Sequence, residues 1–134
     1  MTSPSHIVIL TAAVARLRAN VAFMALMGNR VYNHVPQELV LPLCRVRWGQ
    51  AGEWDTKDSD GVDGFLFVDV WTDHRGDKDA LTAADMVVNE FHLQPLSLSD
   101  AQSLILRRDF VDAFTEPDGL THHTVIRFRH VATN

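Results

Sequence analysis

Residues 104–131, LILRRDFVDAFTEPDGLTHHTVIRFRHV, decide the fold. Two long β-compatible runs, 104–114 and 120–131, flank Glu116-Pro117-Asp118-Gly119. Proline fixes the φ needed at the first corner of a type I turn, aspartate suits the second, and glycine suits the left-handed position that follows. The stretch therefore predicts an antiparallel hairpin. Upstream, residues 43–48 and 65–71 also read as strands. In the second of these Phe65, Phe67, Asp69 and Trp71 fall on one face and Leu66, Val68 and Val70 on the other. Between them, residues 49–64 are polar and rich in Gly and Asp, which predicts an extended hairpin arm.

Three helices complete the expectation. Ile7, Leu10, Val14 and Leu17 recur at helical spacing, predicting a helix over 5–18, although Ile7-Val8-Ile9 also suit a strand. Asn20 reads as the N-cap of a short helix over 21–27, with Gly28 just past its end. Pro36 and Pro42 push the residues before them towards extended backbone, so the stretch between is an irregular crossing. A third helix over 77–92 has a buried stripe of Ala80, Ala84, Val87 and Phe91, widened by Leu81 and Val88. Residues 94–103 are turn-rich, with a short strand at 96–98. The order is α-α-β-β-α-β-β: one α+β domain over residues 1–134, an antiparallel sheet with helices packed on one face.

Composition narrows the function. The 134 residues carry 12 Lys+Arg and 17 Asp+Glu, a formal charge of −5, with 46% hydrophobic residues. That is the balance of a globular chain long enough to bury a core without disulfides. Cys44 is the only cysteine, which excludes an internal disulfide. A net acidic chain is a poor binder of nucleic acid or of an anionic membrane. No apolar stretch approaches the ~18 residues of a membrane span. The stretch 7–15 lacks preceding basic residues and is followed at once by Arg16 and Arg18, so it does not read as a signal peptide. The expected setting is intracellular and soluble.

Charge is placed unevenly. Residues 53–79 hold nine acids against three bases, a net −6, and the remainder is close to neutral. Within that segment, Asp58, Asp60, Gly61 and Asp63 invite a calcium reading. Aligning Gly61 with the glycine of a calcium loop puts Thr56 and Phe67 where acidic ligands are needed, so a turn-forming loop fits better. His122 and His123 are adjacent on a strand and point to opposite faces, unsuited to one metal. Arg75-Gly76-Asp77 reads as the start of the third helix, with Asp77 favoured by the helix dipole. Nucleophile-elbow, phosphate-loop and dinucleotide-binding patterns are absent from the sequence. Cys44 lies in an apolar run and reads as core. No enzyme activity, metal or cofactor is expected. Trp48 and Trp54 stand out as aromatics beside or within the polar arm, where they are candidate anchors for a protein partner, the alternative being that Trp54 folds back onto the sheet.

The ordered set of motifs resembles the small tail-completion, or tail-terminator, proteins of long-tailed phages and phage-like gene transfer agents. It begins with Leu26-Met27-Gly28-Asn29-Arg30-Val31-Tyr32-Asn33-His34-Val35-Pro36. It continues through Glu53-Trp54-Asp55-Thr56-Lys57 and Gly61-Val62-Asp63-Gly64, with the strand to Trp71. It closes with Arg75-Gly76-Asp77-Lys78 and Asp118-Gly119-Leu120-Thr121-His122-His123 running into Arg127-Phe128-Arg129. Residues 94–103 carry no matching pattern.

The resemblance implies a non-enzymatic virion protein that forms a ring, hexameric because the tail tube is built of hexameric discs. Such a ring caps the tube at its head-proximal end and joins it to the head-completion, or stopper, protein. Its partners are further copies of itself, the major tail tube protein and that stopper. DNA passes through the lumen without specific binding, and no membrane is involved. The residues assigned to subunit or partner contact are Trp48, Trp54, Asp55, Lys57, Asp58, Asp60 and Asp63 of the arm, with Arg127 and Arg129 of the last strand. Opposite charge on these two surfaces would orient a head-to-tail contact. The rival expectation is a small α+β ligand- or metal-binding protein, or an enzyme, using the acidic segment 53–79.

Overall fold

The C-terminal hairpin forms as the turn chemistry requires. In the computed structural model, which describes residues 5–34, 36–38, 40–49, 64–73, 78–99 and 102–133, β5 (Ser103–Thr115) pairs antiparallel with β6 (His122–Thr133). The Gly119 amide donates to the Glu116 carbonyl at 2.9 Å, and Gly119 adopts φ +74°, a region that a Cβ would disfavour. The Asp118 carboxylate accepts from the Leu120 and Thr121 amides, both at 2.8 Å, and from the Thr121 hydroxyl at 2.7 Å. These hydrogen bonds, chiefly those from the two amides, hold its carboxyl below the ordinary aspartate value.

On its other edge β6 pairs with β3 (Phe65–Thr72), which pairs in turn with β2 (Leu43–Gly49). The last pair of the β2–β3 ladder is Gly49 with Phe65, so the two strands end opposite each other at the bounds expected for the arm. Residues 50–63 lie outside the described residues, and with them the arm's own conformation.

One strand goes beyond the prediction, and a second falls on the short strand expected at 96–98. The first is β1 (Val31–Tyr32), which pairs with β2 in parallel. The second is β4 (Leu96–Ser97), which closes the far edge in the order β1-β2-β3-β6-β5-β4. The sheet is thus mixed, mainly antiparallel. Arg30 explains why β1 can run parallel after an irregular crossing. Its guanidinium donates to the Pro42 and Leu41 carbonyls at 2.8 and 3.3 Å, and its own carbonyl accepts from the Cys44 amide at 2.9 Å. Asn33 adds a side-chain hydrogen bond to the Val46 carbonyl at 2.9 Å. The stretch 28–33 is therefore a brace for the crossing.

The helices are α1 (His6–Arg18), capped by Ser5, α2 (Val21–Leu26), capped by Asn20, and α3 (Lys78–Phe91). One carboxylate links all three: Glu90 accepts from Arg16 at 3.1 Å and from Asn20 at 2.7 Å. The core between helices and sheet contains Ile9, Leu17, Phe23, Val68, Val87, Phe91, Ile126 and Phe128, with the Phe91 and Phe128 rings edge-on at 5.5 Å.

Two expectations about faces need correction. Helix α1 buries Ile9, Ala13 and Leu17, whereas Ile7 is 65% exposed, because an apolar helix offers more than one stripe and the sheet selects which one docks. In α3 the buried set is Ala80, Ala83, Ala84, Val87 and Phe91, and Leu81 is turned largely to solvent, so it does not widen the stripe.

Leu17→Ala should destabilise the fold by about 2–5 kcal/mol, against roughly 0.5 kcal/mol or less for Ile7→Ala, as read by denaturant unfolding. Equal effects would contradict this phase for α1. A second outcome concerns the turn. A carboxyl with a lowered folded-state pKa stabilises above its unfolded value and loses that contribution as pH falls through the folded one. Asp118→Ala should therefore lower the thermal midpoint near neutral pH, and the gap to the wild type should narrow as pH drops below about 4.

Candidate functional site

Strand alternation turns Leu66, Val68 and Val70 of β3, with Ile126 and Phe128 of β6, into the core. The opposite face of the same strands then carries Phe65, Phe67, Asp69 and Trp71 beside His123, Val125, Arg127 and Arg129, in the register Phe67 with Arg127 and Asp69 with Val125. This outer face holds the densest chemistry among the described residues. Asp69 lies at its centre and is almost fully buried. Its Oδ2 accepts from Arg47 Nε at 2.9 Å, and its Oδ1 is 3.2 Å from His123 Nε2. The other imidazole nitrogen of His123, Nδ1, is 3.2 Å from Glu116 Oε1. The ring is stacked against Trp71 at 4.4 Å and tilted against Phe114 at 4.8 Å. Asp69, His123 and Glu116 thus tie the hairpin turn to the centre of the sheet.

This cluster is structural chemistry. Its hydrogen bonds join strand to strand, and Cys44 nearby is buried, with burial and then the Asp69 charge pushing its thiol well above the usual cysteine range. No group of three or more His, Cys, Asp or Glu among the described residues is placed to hold a metal. Beside the cluster, Leu41, Leu43, Arg45, Trp71, Glu116 and Asp118 line an open cleft of about 600 Å³. Arg45 Nε is buried there without a hydrogen-bond partner.

The expected contact residues separate into two groups. Trp54, Asp55, Lys57, Asp58, Asp60 and Asp63 lie outside the described residues. Arg75-Gly76-Asp77 does too. Trp48 is half-buried against the core and stacks on His6 at 5.2 Å. A Cβ on Gly64, which has φ +104°, would stand 2.6 Å from the indole nitrogen of Trp48, so glycine lets the arm's return leg pass the ring. Arg127 is engaged within its own subunit. Its Nε donates to Asp109 at 2.6 Å, and its guanidinium lies over Phe65 and Phe110 at 4.7 and 5.3 Å. Arg129 is exposed. Of the two arginines, Arg129 is the one that presents its charge to solvent.

Asp69 is the residue that sequence reasoning passed over. Its signal was available, since it is the one charge in the run Phe65–Thr72. The apolar side chains Phe110, Val111 and Phe114 were read only as strand formers, yet all three are about 40% exposed along β5.

Residues 11–133 match the family of tail completion protein gp17, and the chain belongs to that family. A chain from the virion of a native gene transfer agent particle is similar in structure. It is 26% identical, with a TM-score of 0.72 over 94% of this chain and 97% of that one. A second solved structure, 15% identical with a TM-score of 0.60 over 96% of both chains, shares the fold. Among proteins with curated descriptions there is no significant match. The protein is a structural, virion-associated component of phage-type tails.

Asp69→Ala should cost about 2–3 kcal/mol, because it strands Arg47 and His123 beside a buried gap. Chemical denaturation measures it directly, and a loss below about 0.5 kcal/mol would show that the cluster does not hold the hairpin to the sheet.

Proposed function

We propose that this chain is the terminator ring of its tail: a closed ring of identical subunits at the head-proximal end of the tube, ending tube growth and docking the head-completion protein. The observation that carries the reading is family membership over residues 11–133, supported by the likeness to a chain of a gene transfer agent virion. Six copies follow from the family's place on a tube of six-fold discs. A head-to-tail contact uses two different surfaces and closes only when its rotation divides a full turn.

The physical character of the subunit supports the role. A cap needs a rigid sheet that presents loops to its neighbours. Here the outer face is cross-linked by Asp69, His123 and Glu116. The net charge of −5 keeps free subunits apart and repels the phosphates of passing DNA. The acidic, tryptophan-bearing stretch 53–63 is proposed as the contact to axial partners, the tube protein and the stopper, with Arg129 as a further charged contact.

Electron microscopy of particles lacking the protein should reveal overlong or headless tails. Tails of normal length joined to heads would refute the assignment. Trp54→Ala should weaken incorporation into tails by about 2 kcal/mol or more with little change in the subunit's own melting. Lost melting with intact incorporation would instead place Trp54 in the subunit's core.

A further inference from the structure

The geometry points to the subunit–subunit contact itself: we infer that the open edge of β5 in one copy docks on the outward face of α1 in the next. The inference rests on the ring reading above and assigns it an interface.

Strand β5 is covered only near its start. On its outer edge, β4 pairs with Ser103 and Leu104, and His92 bridges to Leu106 and accepts from the Arg108 amide at 3.0 Å. From Asp109 onward no described strand lies beside that edge. Along this stretch Phe110, under Arg127, and Phe114, against His123, are 43% and 42% exposed, and Val111, on the opposite face, is 40% exposed, flanking an edge whose backbone no described strand pairs. The second surface is the stripe of α1 that the core did not take. Ile7 is exposed and, with Leu10, Thr11, Val14 and Arg18, lines a shallow groove of about 660 Å³. Val21, 83% exposed at the start of α2, adds to the apolar surface of this helical region.

Charge chooses between the occupants these surfaces allow. In the hairpin Asp109 is paired with Arg127 and Glu116 lies against His123, and Asp112 and Asp118 are the acids with no basic side chain bonded to them among the described residues. The first 37 residues hold no acid; Arg16 is paired with Glu90 of α3, and Arg18 and Arg30 donate only to backbone carbonyls, so they keep their charge without an acidic partner among the described residues. Pairing two β5 edges across a two-fold axis would set acidic hairpin against acidic hairpin. Docking the hairpin on the helical region sets acid against base. Extension of the sheet from β5 onto the neighbour's β1 is also disfavoured. That edge is only two residues long, and its Val31 carbonyl already accepts from Arg18 at 2.6 Å. The resulting contact is heterologous, as a ring requires.

Cysteine cross-linking of the full chain in assembled tails tests this, since buried Cys44 gives a silent background. A chain carrying both Ile7→Cys and Phe110→Cys should give, under mild oxidation, a ladder of covalent multimers ending at the ring size. Each single variant should give none. Thr11→Cys with Val111→Cys is a second pair, also at exposed positions. Self-cross-linking by Phe110→Cys alone would overturn the inference in favour of two-fold edge pairing. Absence of the ladder with both pairs, in tails that carry a full ring of copies, would also overturn it while leaving the terminator reading intact. One copy per tail, counted by native mass spectrometry, would instead remove the ring and the contact together.

Discussion

Everything else in this subunit depends on β6 being held in register between β3 and β5. Strand side chains alternate, so a slip of one residue would turn Ile126 and Phe128 out of the core and put Arg127 and Arg129 into it. The register is fixed from three sides. The Glu116–Gly119 turn sets the hairpin's end, the core residues Val68, Ile126 and Phe128 demand the inner face, and Asp69 takes His123 and Arg47 on the outer one. A buried carboxylate is costly unless every lone pair is used. Asp69 therefore penalises alternative pairings more than it adds to stability.

The helices then do two jobs with one sequence. Their inner stripes complete the core, and Glu90 ties α1, α2 and α3 together through Arg16 and Asn20. In the proposed ring their outer stripes meet the next copy. Ile7 stays 65% exposed on the outer side of α1, the surface on which the proposed contact rests. The far half of β5 carries the other surface of that proposed contact, with Phe110, Val111 and Phe114 about 40% exposed.

Family membership and this architecture agree on a protein whose function lies in shape and contact. The Gly28-Asn29-Arg30-Val31-Tyr32 stretch, which carried much of the family resemblance, makes its sense as a brace: Arg30 satisfies the carbonyls of the crossing, and Val31 and Tyr32 extend the sheet. The resemblance there follows the needs of the backbone rather than a reaction.

The sequence by itself determined the hairpin, the strands Leu43–Gly49 and Phe65–Thr72, and three helices to within a residue or two, because turn chemistry, capping and periodicity are local. It also carried enough ordered motifs to point to the family. Tertiary structure decided the rest. The phase of α1 was undecidable locally, since Ile7–Leu10–Val14 and Ile9–Ala13–Leu17 are both apolar stripes and only the sheet picks between them. The two-residue strand Val31–Tyr32 is too short to show a period and forms against the edge that a longer neighbour offers. The roles of Arg127 and Arg129, alike on the page, diverge because a bulge around Asp109 brings its carboxylate to Arg127 and leaves Arg129 facing water.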